Sequence, residues 1–302
     1  MEVLGRLLGL LVLLAAGTGL RLGGVLDEVW TRRLNAIAYY VALPALVFVS
    51  TYDRGIGDLL TPALVGGPVA VLLGTAALAW LLHRNRADRE RRGVAIVQSY
   101  HSNIGYLGLP LLAATFGDDV TAVASVVLGV VSLTQVPLTI TVLTGIDGTD
   151  GSVATELVEL AKNPVLLILV LGLTVGSLGI GVPGAVTAGL DVLGSLALPL
   201  ALLCVGASLR FDIPDGDLGT SAAVVALKVA WMPALAWAVF SLLGVGAAAF
   251  TAAVVMLGTP TAVSTYVFAS ELGGDPEFAS LNVFLTTVVS VGTLFVLIRV
   301  VG

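Results

Sequence analysis

Asn103-Ile-Gly-Tyr-Leu-Gly-Leu-Pro110 lies in the middle of one apolar stretch, and Gly258-Thr-Pro-Thr-Ala-Val-Ser-Thr265 lies in the middle of another. Both are polar, both contain glycine and proline, and both fall where a helix would be half-way across a bilayer. Backbone groups left unpaired in hydrocarbon cost several kcal/mol each, so a helix interrupted at that depth must be buried in protein or line a cavity. Two such interruptions, at corresponding places in two halves of a chain, mark the binding site of a secondary transporter.

The surrounding chain is built to hold these stretches in a membrane. It is 57% hydrophobic and 11% charged, with a mean hydropathy of +1.04, whereas a soluble domain is about a quarter charged. This predicts an all-α polytopic membrane protein with almost no room for a soluble domain. A span needs about 20 apolar residues. Ten segments qualify: about Leu4–Leu20, Leu34–Ser50, Pro62–Leu82, Gly93–Phe116 and Val120–Leu143, then Pro164–Ile180, Leu190–Leu209, Leu218–Leu243, Ala247–Leu272 and Phe278–Val301. The first lacks the basic leader and small-residue cleavage site of a signal peptide, since Glu2 offsets Arg6, and reads as a retained helix.

The one long polar stretch, 145–163, divides the chain into a first repeat (1–144) and a second (164–302). Ala42-Leu-Pro-Ala-Leu46 echoes Ala197-Leu-Pro-Leu-Ala201. At one common offset Gly19 falls on Gly176, Asn103 on Pro260, and Gly117-Asp118 on Gly274-Asp275. An odd number of spans per half makes the repeat an inverted one. Lys and Arg placement orients it. The loops after segments one, three, five, seven and nine hold Arg21, Arg32, Arg33, Arg84, Arg86, Arg89, Arg91, Arg92, Lys162 and Arg210, against Arg6, Arg54 and Arg299 on the other side. The rich side, with the 145–163 linker, is expected in the cytoplasm and both termini outside it. The basic run His83–Arg92 reads as a topology anchor, not a nucleic-acid site, and the acidic loop Asp212–Asp217 as solvating.

The candidate site residues are Asn103, Gly105, Tyr106 and Pro110 in segment four, Thr259, Pro260, Thr261 and Ser264 in segment nine, and Lys228 in segment eight. Pro110 lacks an N–H and its ring conflicts with the carbonyl of Tyr106. Asn103 offers donors and an acceptor without a charge of its own. Pro260 is expected to end one half-helix, with the next starting near Thr261, so that helix N-termini converge as an anion site. Lys228 is the one charge in mid-span, where burial costs at least about 2.5–3.5 kcal/mol. It is expected either to support an anionic substrate or to neutralise carbonyls freed by the segment-nine break.

Other chemistries find no support. Asp191, Glu271 and Glu277 fall at helix ends, so no carboxylate is placed to carry a cation through the membrane. There is no phosphate loop, no His-Glu-x-x-His pair and no Gly-x-Ser-x-Gly elbow, so no enzyme is expected. Cys204 is alone, and His83 and His101 are too few and too far apart for zinc; neither metal nor cofactor is expected.

These residues resemble the auxin efflux carrier family, the prokaryotic relatives of plant auxin exporters, over nearly the whole length. Asn103-Ile-Gly-Tyr-Leu-Gly-Leu-Pro-Leu-Leu112 is similar to that family's Asn, four variable residues, then Gly-Ile-Pro-Leu-Leu. Pro260, the run Val267-Phe-Ala-Ser-Glu271 and Pro276 look like its crossover followed by Val-Phe-Ala-x-Glu. Asn163-Pro164, and Lys228 with Pro233, also fit. The resemblance implies an NhaA-like fold shared with bile-acid transporters. Segments one, two, six and seven form a scaffold, with possible homodimerisation through it, and segments three to five and eight to ten form a moving transport domain. It further implies an elevator-type carrier of small organic anions, auxin- or dicarboxylate-like, with the carboxylate on the half-helix ends. Thr261 stands where the family has an asparagine- or glutamine-type partner, so auxin specificity does not follow. Two alternatives stay open: a sodium- or proton-coupled symporter of the bile-acid type, and a non-transporting membrane sensor or scaffold.

Overall fold

The computed structural model describes residues 2–86, 88–147, 153–208 and 218–302. Arg210 and the Asp212–Asp217 loop lie outside the described residues, as does part of the 145–163 linker. The chain is helical: α1 Glu2–Leu22, α2 Glu28–Thr51, α3 Pro62–His83, α4 Arg89–Gln98, α5 Ile104–Phe116, α6 Asp118–Asp147, α7 Val153–Ala161, α8 Pro164–Ser177, α9 Gly184–Ser208, α10 Leu218–Leu242, α11 Ala247–Leu257, α12 Ser264–Glu271 and α13 Pro276–Val301. Among the described residues there is no strand beyond one isolated bridge.

Six of these helices (α2, α3, α6, α9, α10 and α13) are long and apolar enough to cross a bilayer, and α7 with α8 forms a seventh candidate bent by 54°. The protein is therefore a multi-pass membrane protein by length and composition. The linker is less of a loop than its polarity suggests. Helix α6 runs on to Asp147 and α7 occupies Val153–Ala161, before Asn163 caps α8 by accepting from the N–H groups of Val165 and Leu166. Asp191, expected at a helix end, sits two turns inside α9, which begins at Gly184.

Three helices contain a π-turn, at Ala38–Ala42, Ile104–Gly108 and Leu227–Trp231. Each is followed two residues later by a proline: Pro44, Pro110 and Pro233. A proline inside an α-helix removes one i→i−4 bond and crowds the carbonyl it should have met. The wider turn resolves that conflict. The N–H groups of Leu43, Leu109 and Met232 reach back to the carbonyls of Ala38, Ile104 and Leu227, and the helices continue past their prolines. Pro110 therefore does not break segment four. The break comes earlier, between Gln98 and Ile104.

Glycines set the closest helix contacts. A Cβ on Gly17 would run into the Leu203 backbone, and one on Gly206 into the Leu14 backbone, so α1 and α9 touch main chain to main chain. Thr18 Oγ1 donates to the Gly206 carbonyl (2.8 Å) and Arg21 Nη1 to that of Ala207 (2.9 Å). On α8 a Cβ at Gly176 would likewise meet the Arg54 backbone, and one at Gly172 the Thr51 side chain. Gly206→Ala is expected to destabilise by about 1–3 kcal/mol through overpacking, read as a lower melting midpoint in detergent. Gly19→Ala, whose Cβ would meet nothing, is expected to leave the midpoint in place.

Candidate functional site at the crossing of the interrupted segments

The two interruptions meet. After α4 ends, the chain leaves the helix through His101–Asn103, and after α11 it does so through Pro260–Ala262. Ser102 and Thr261 form an antiparallel bridge. Asn103 N–H donates to the Pro260 carbonyl (2.8 Å) and Ala262 N–H to the His101 carbonyl (3.1 Å). Pro260 has no N–H to give and serves as acceptor only, the position a proline tolerates at a strand edge.

Every remaining backbone group here needs a partner, because the crossing is buried. Gln135 of α6 supplies two at once: its Oε1 accepts from Ser102 N–H (3.0 Å) and its Nε2 donates to the Ser102 carbonyl (3.2 Å). Thr261 N–H donates to Thr286 Oγ1 (3.3 Å), and Thr261 Oγ1 donates to the Gln98 carbonyl (2.6 Å). Gln98 in turn donates to Thr265 Oγ1 (3.0 Å) and the Ala279 carbonyl (2.9 Å), while its Oε1 accepts from Asn282 Nδ2 (2.9 Å). Asn282 Oδ1 is left without a partner. Sequence reasoning passed over Gln98, Gln135 and Asn282. Their signal was available, since each is an amide inside an otherwise apolar span. Gln135→Leu is expected to leave both Ser102 backbone groups unpaired, at about 1–3 kcal/mol each. A melting midpoint equal to wild type would refute this role.

Lys228 is fully buried. Its Nζ donates to the Leu257 carbonyl at the end of α11 (3.0 Å) and reaches Met232 Sδ at 3.3 Å. The Lys228 amine thus sits on the carbonyl end of a half-helix, where the helix dipole favours positive charge. Met232 Sδ also accepts from Ser102 Oγ (3.8 Å), which links Lys228 to the crossing.

Asn103 is 3% exposed. Its backbone is committed to the crossing and to α5, whose Gly108 N–H donates to its carbonyl (3.0 Å), but its side chain makes no cap to that helix. The amide is free for something else. Thr259 and Thr261 are buried with it, though Thr259 Oγ1 returns to the Met256 carbonyl (2.7 Å). The other candidates are not gathered at this point. Tyr106 stacks on Tyr39 of α2 with ring centroids 6.2 Å apart, and Gly105 faces open space. Ser264 opens α12 on an exposed face, so the second half-helix starts three residues after the expected Thr261. Pro110 lines a cavity of about 230 Å³ between α2, α5, α6 and α9, together with Ser50, Asp118, Thr121, Asp191 and Ser195. No residue of the two crossing strands lines it.

A buried, charge-supported crossing of two broken apolar helices is transporter geometry. A family model described as a membrane transport protein matches residues 2–155 and 151–298. The chain belongs to this membrane transport protein family. The family includes the auxin efflux carrier-like proteins that the sequence motifs resemble. Relatives of this membrane transport protein include an uncharacterized transporter of Methanothermobacter thermautotrophicus, 27% identical over 95% of this chain and 94% of its own length. Another is an uncharacterized transporter of Methanocaldococcus jannaschii, 26% identical over 93% and 92%. A third, named a putative malonate transporter in Rhizobium meliloti, is 24% identical over 86% and 84%.

Proposed function

We propose that this membrane transport protein is a secondary carrier of small organic anions, dicarboxylate- or auxin-like, working by an elevator-type exchange of access across the cell membrane. The observation that carries the reading is the crossing itself: the Asn103 side chain is buried there without capping α5, and Lys228 holds the last carbonyl of α11 and is linked to Ser102 through Met232 Sδ. An anion there meets donors and positive charge, and among the described residues the one carboxylate inside a span, Asp191 of α9, lines the separate cavity with Pro110. Thr259, Pro260 and Thr261 complete the site as proposed. Gly105, Tyr106, Pro110 and Ser264 take the outer positions along the substrate's path. The name of the Rhizobium relative points to a malonate-like substrate.

The proposed architecture is ten spans as a five-plus-five inverted repeat of NhaA-like topology, with both termini extracytoplasmic. Two ion pairs support the pairing of loops on each side. Arg91 meets Asp275 at 2.8 Å and Arg54 meets Asp119 at 2.6 Å, each joining loops that the charge distribution assigns to one face. The glycine-mediated packing of α1 on α9 and of α2 on α8 supports a rigid scaffold from segments one, two, six and seven. Segments three to five and eight to ten then form the moving part, and a homodimer would form through the scaffold.

The test is charge movement in proteoliposomes on rapid addition of malonate, malate or indole-3-acetate. A current with at least one acid in the wild type is expected. Absence of both current and labelled-acid uptake, from folded protein, overturns the reading in favour of a non-transporting sensor.

A further inference from the structure

His101 is the buried titratable side chain that this site does not yet use. It lies on the crossing strand itself, one residue from the Ser102–Thr261 bridge, and is 2% exposed. Its Nδ1 is 2.8 Å from Thr139 Oγ1, which is in turn 3.2 Å from the Tyr100 hydroxyl. Neither partner is a carbonyl or a carboxylate, and that matters for what the ring can do. A carbonyl would hold Nδ1 as a permanent donor. A hydroxyl donates or accepts according to how its hydrogen is turned. With the ring neutral, Tyr100 donates to Thr139 and Thr139 to Nδ1. With the ring protonated, Nδ1 donates to Thr139 and Thr139 to Tyr100. In both states Nδ1 keeps its bond to Thr139 with no heavy atom moved, so placing a proton on Nδ1 needs only the two hydroxyls to turn.

The surroundings decide what accompanies that proton. Lys228, on α10, reaches the next residue of this strand through Met232 Sδ, which both its Nζ (3.3 Å) and Ser102 Oγ (3.8 Å) meet. From α12 the ring meets Phe268, with centroids 5.8 Å apart, and the carboxylate of that helix, Glu271, is at its far end. From α6 it meets neutral Thr139, one turn after neutral Gln135, and on its own strand the phenol of Tyr100. No acidic side chain faces it. Among these described neighbours a charged imidazole beside the Lys228 side chain has no counter-ion, and a bound anion would supply one. Each charge then favours the other, and such coupling is reciprocal by linkage.

We propose that His101 is a proton-binding site occupied together with the organic anion, making the carrier a proton–anion cotransporter. This rests on the anion reading of the crossing given above. Its step is a simple addition: one proton from water bonds to an imidazole nitrogen as the carboxylate enters, and both leave together on the other side.

The experiment measures proton uptake on ligand binding in purified, detergent-solubilised full-length protein, in weakly buffered solution with a pH indicator and malonate as probe. Binding is followed separately by calorimetry. Wild type is expected to take up about one proton per malonate, and His83→Gln, the other histidine replaced, to do the same. In His101→Gln, whose amide keeps a hydrogen bond to Thr139, the ratio of protons to malonate is expected to fall at least about tenfold, whatever happens to affinity. Malonate binding to wild type without proton uptake overturns the proton site, and so does uptake that persists in His101→Gln; both leave the anion site standing. Failure of malonate and indole-3-acetate alike to bind wild type overturns the anion site and the proton site with it. Because the wild-type measurement decides by itself, a misfolded variant does not protect the proposal.

Discussion

Replacing Lys228 by alanine is expected to abolish acid-driven charge movement, with a loss of at least about 100-fold, equivalent to roughly 2.8 kcal/mol, while the protein still inserts. Lys228 is the one buried lysine or arginine of the described residues, and its amine is fixed on the last carbonyl of α11 by a 3.0 Å bond. Alanine removes the charge that draws an anion inward. It also leaves the Leu257 carbonyl unpaired at about 1–3 kcal/mol, so a modest fall in melting midpoint should accompany the loss. Lys228→Met separates the two effects. It keeps the volume beside Met232 and discards the charge, and transport should be as low as in the alanine variant. Wild-type currents in Lys228→Met would remove the residue from the mechanism and leave it an architectural role only.

Asn103→Ala is expected to behave differently. Its side chain supports no helix cap, so truncation should move the melting midpoint little, by less than about 1 kcal/mol of stability, as for substitutions that open no cavity and strand no buried polar group. Ligand binding should suffer far more. A hydrogen bond to a charged group contributes about 1.5–3 kcal/mol, which is roughly a 10- to 100-fold rise in the dissociation constant for malonate. Calorimetry and a thermal melt on the same sample read both numbers. A large stability loss with unchanged affinity would assign the residue to the fold instead of the ligand.

The contrast with Gln135 shows what the sequence made legible and what it hid. The two interruptions were visible because glycine, proline and hydroxyl residues in mid-span contradict their surroundings, and their pairing followed from the rough equality of the two halves. Every apolar segment that was read carries helix. The location of the first break was not legible: Pro110 is the strongest helix-breaker in the motif, yet the π-turn at Ile104–Gly108 absorbs it and the chain opens earlier. Proline rules concern one residue and its carbonyl, whereas the π-turn is a response of five. Gln135 and Gln98 were hidden for another reason. A lone amide in a span says that a partner exists, but the partner of Gln135 is a backbone 33 residues away, and only the fold shows that it is the crossing strand. Helix α7 was missed because hydropathy averages Glu156 and Glu159 with Leu157 and Val158, although a nine-residue run with that alternation is well suited to an amphipathic helix. Ser264 was placed in the site on proximity in sequence, and the turn at 262–263 carries it to the exposed face.

A π-turn amounts to one residue inserted into an α-helix. Removing a residue from it returns the helix to its ordinary winding and rotates everything beyond by about 100°, the angular step of an α-helix. In α5 that would carry Pro110 and the cavity-lining residues after it to a new face while Asn103 stayed where the crossing holds it. In α2 and α10 it would likewise turn Pro44 and Pro233 away from their neighbours. For these three helices, then, a change in chain length by a single residue is a stronger intervention than almost any exchange of side chain. Variation between relatives should tolerate many substitutions around each proline while keeping the spacing of six positions from the first residue of the π-turn to the proline.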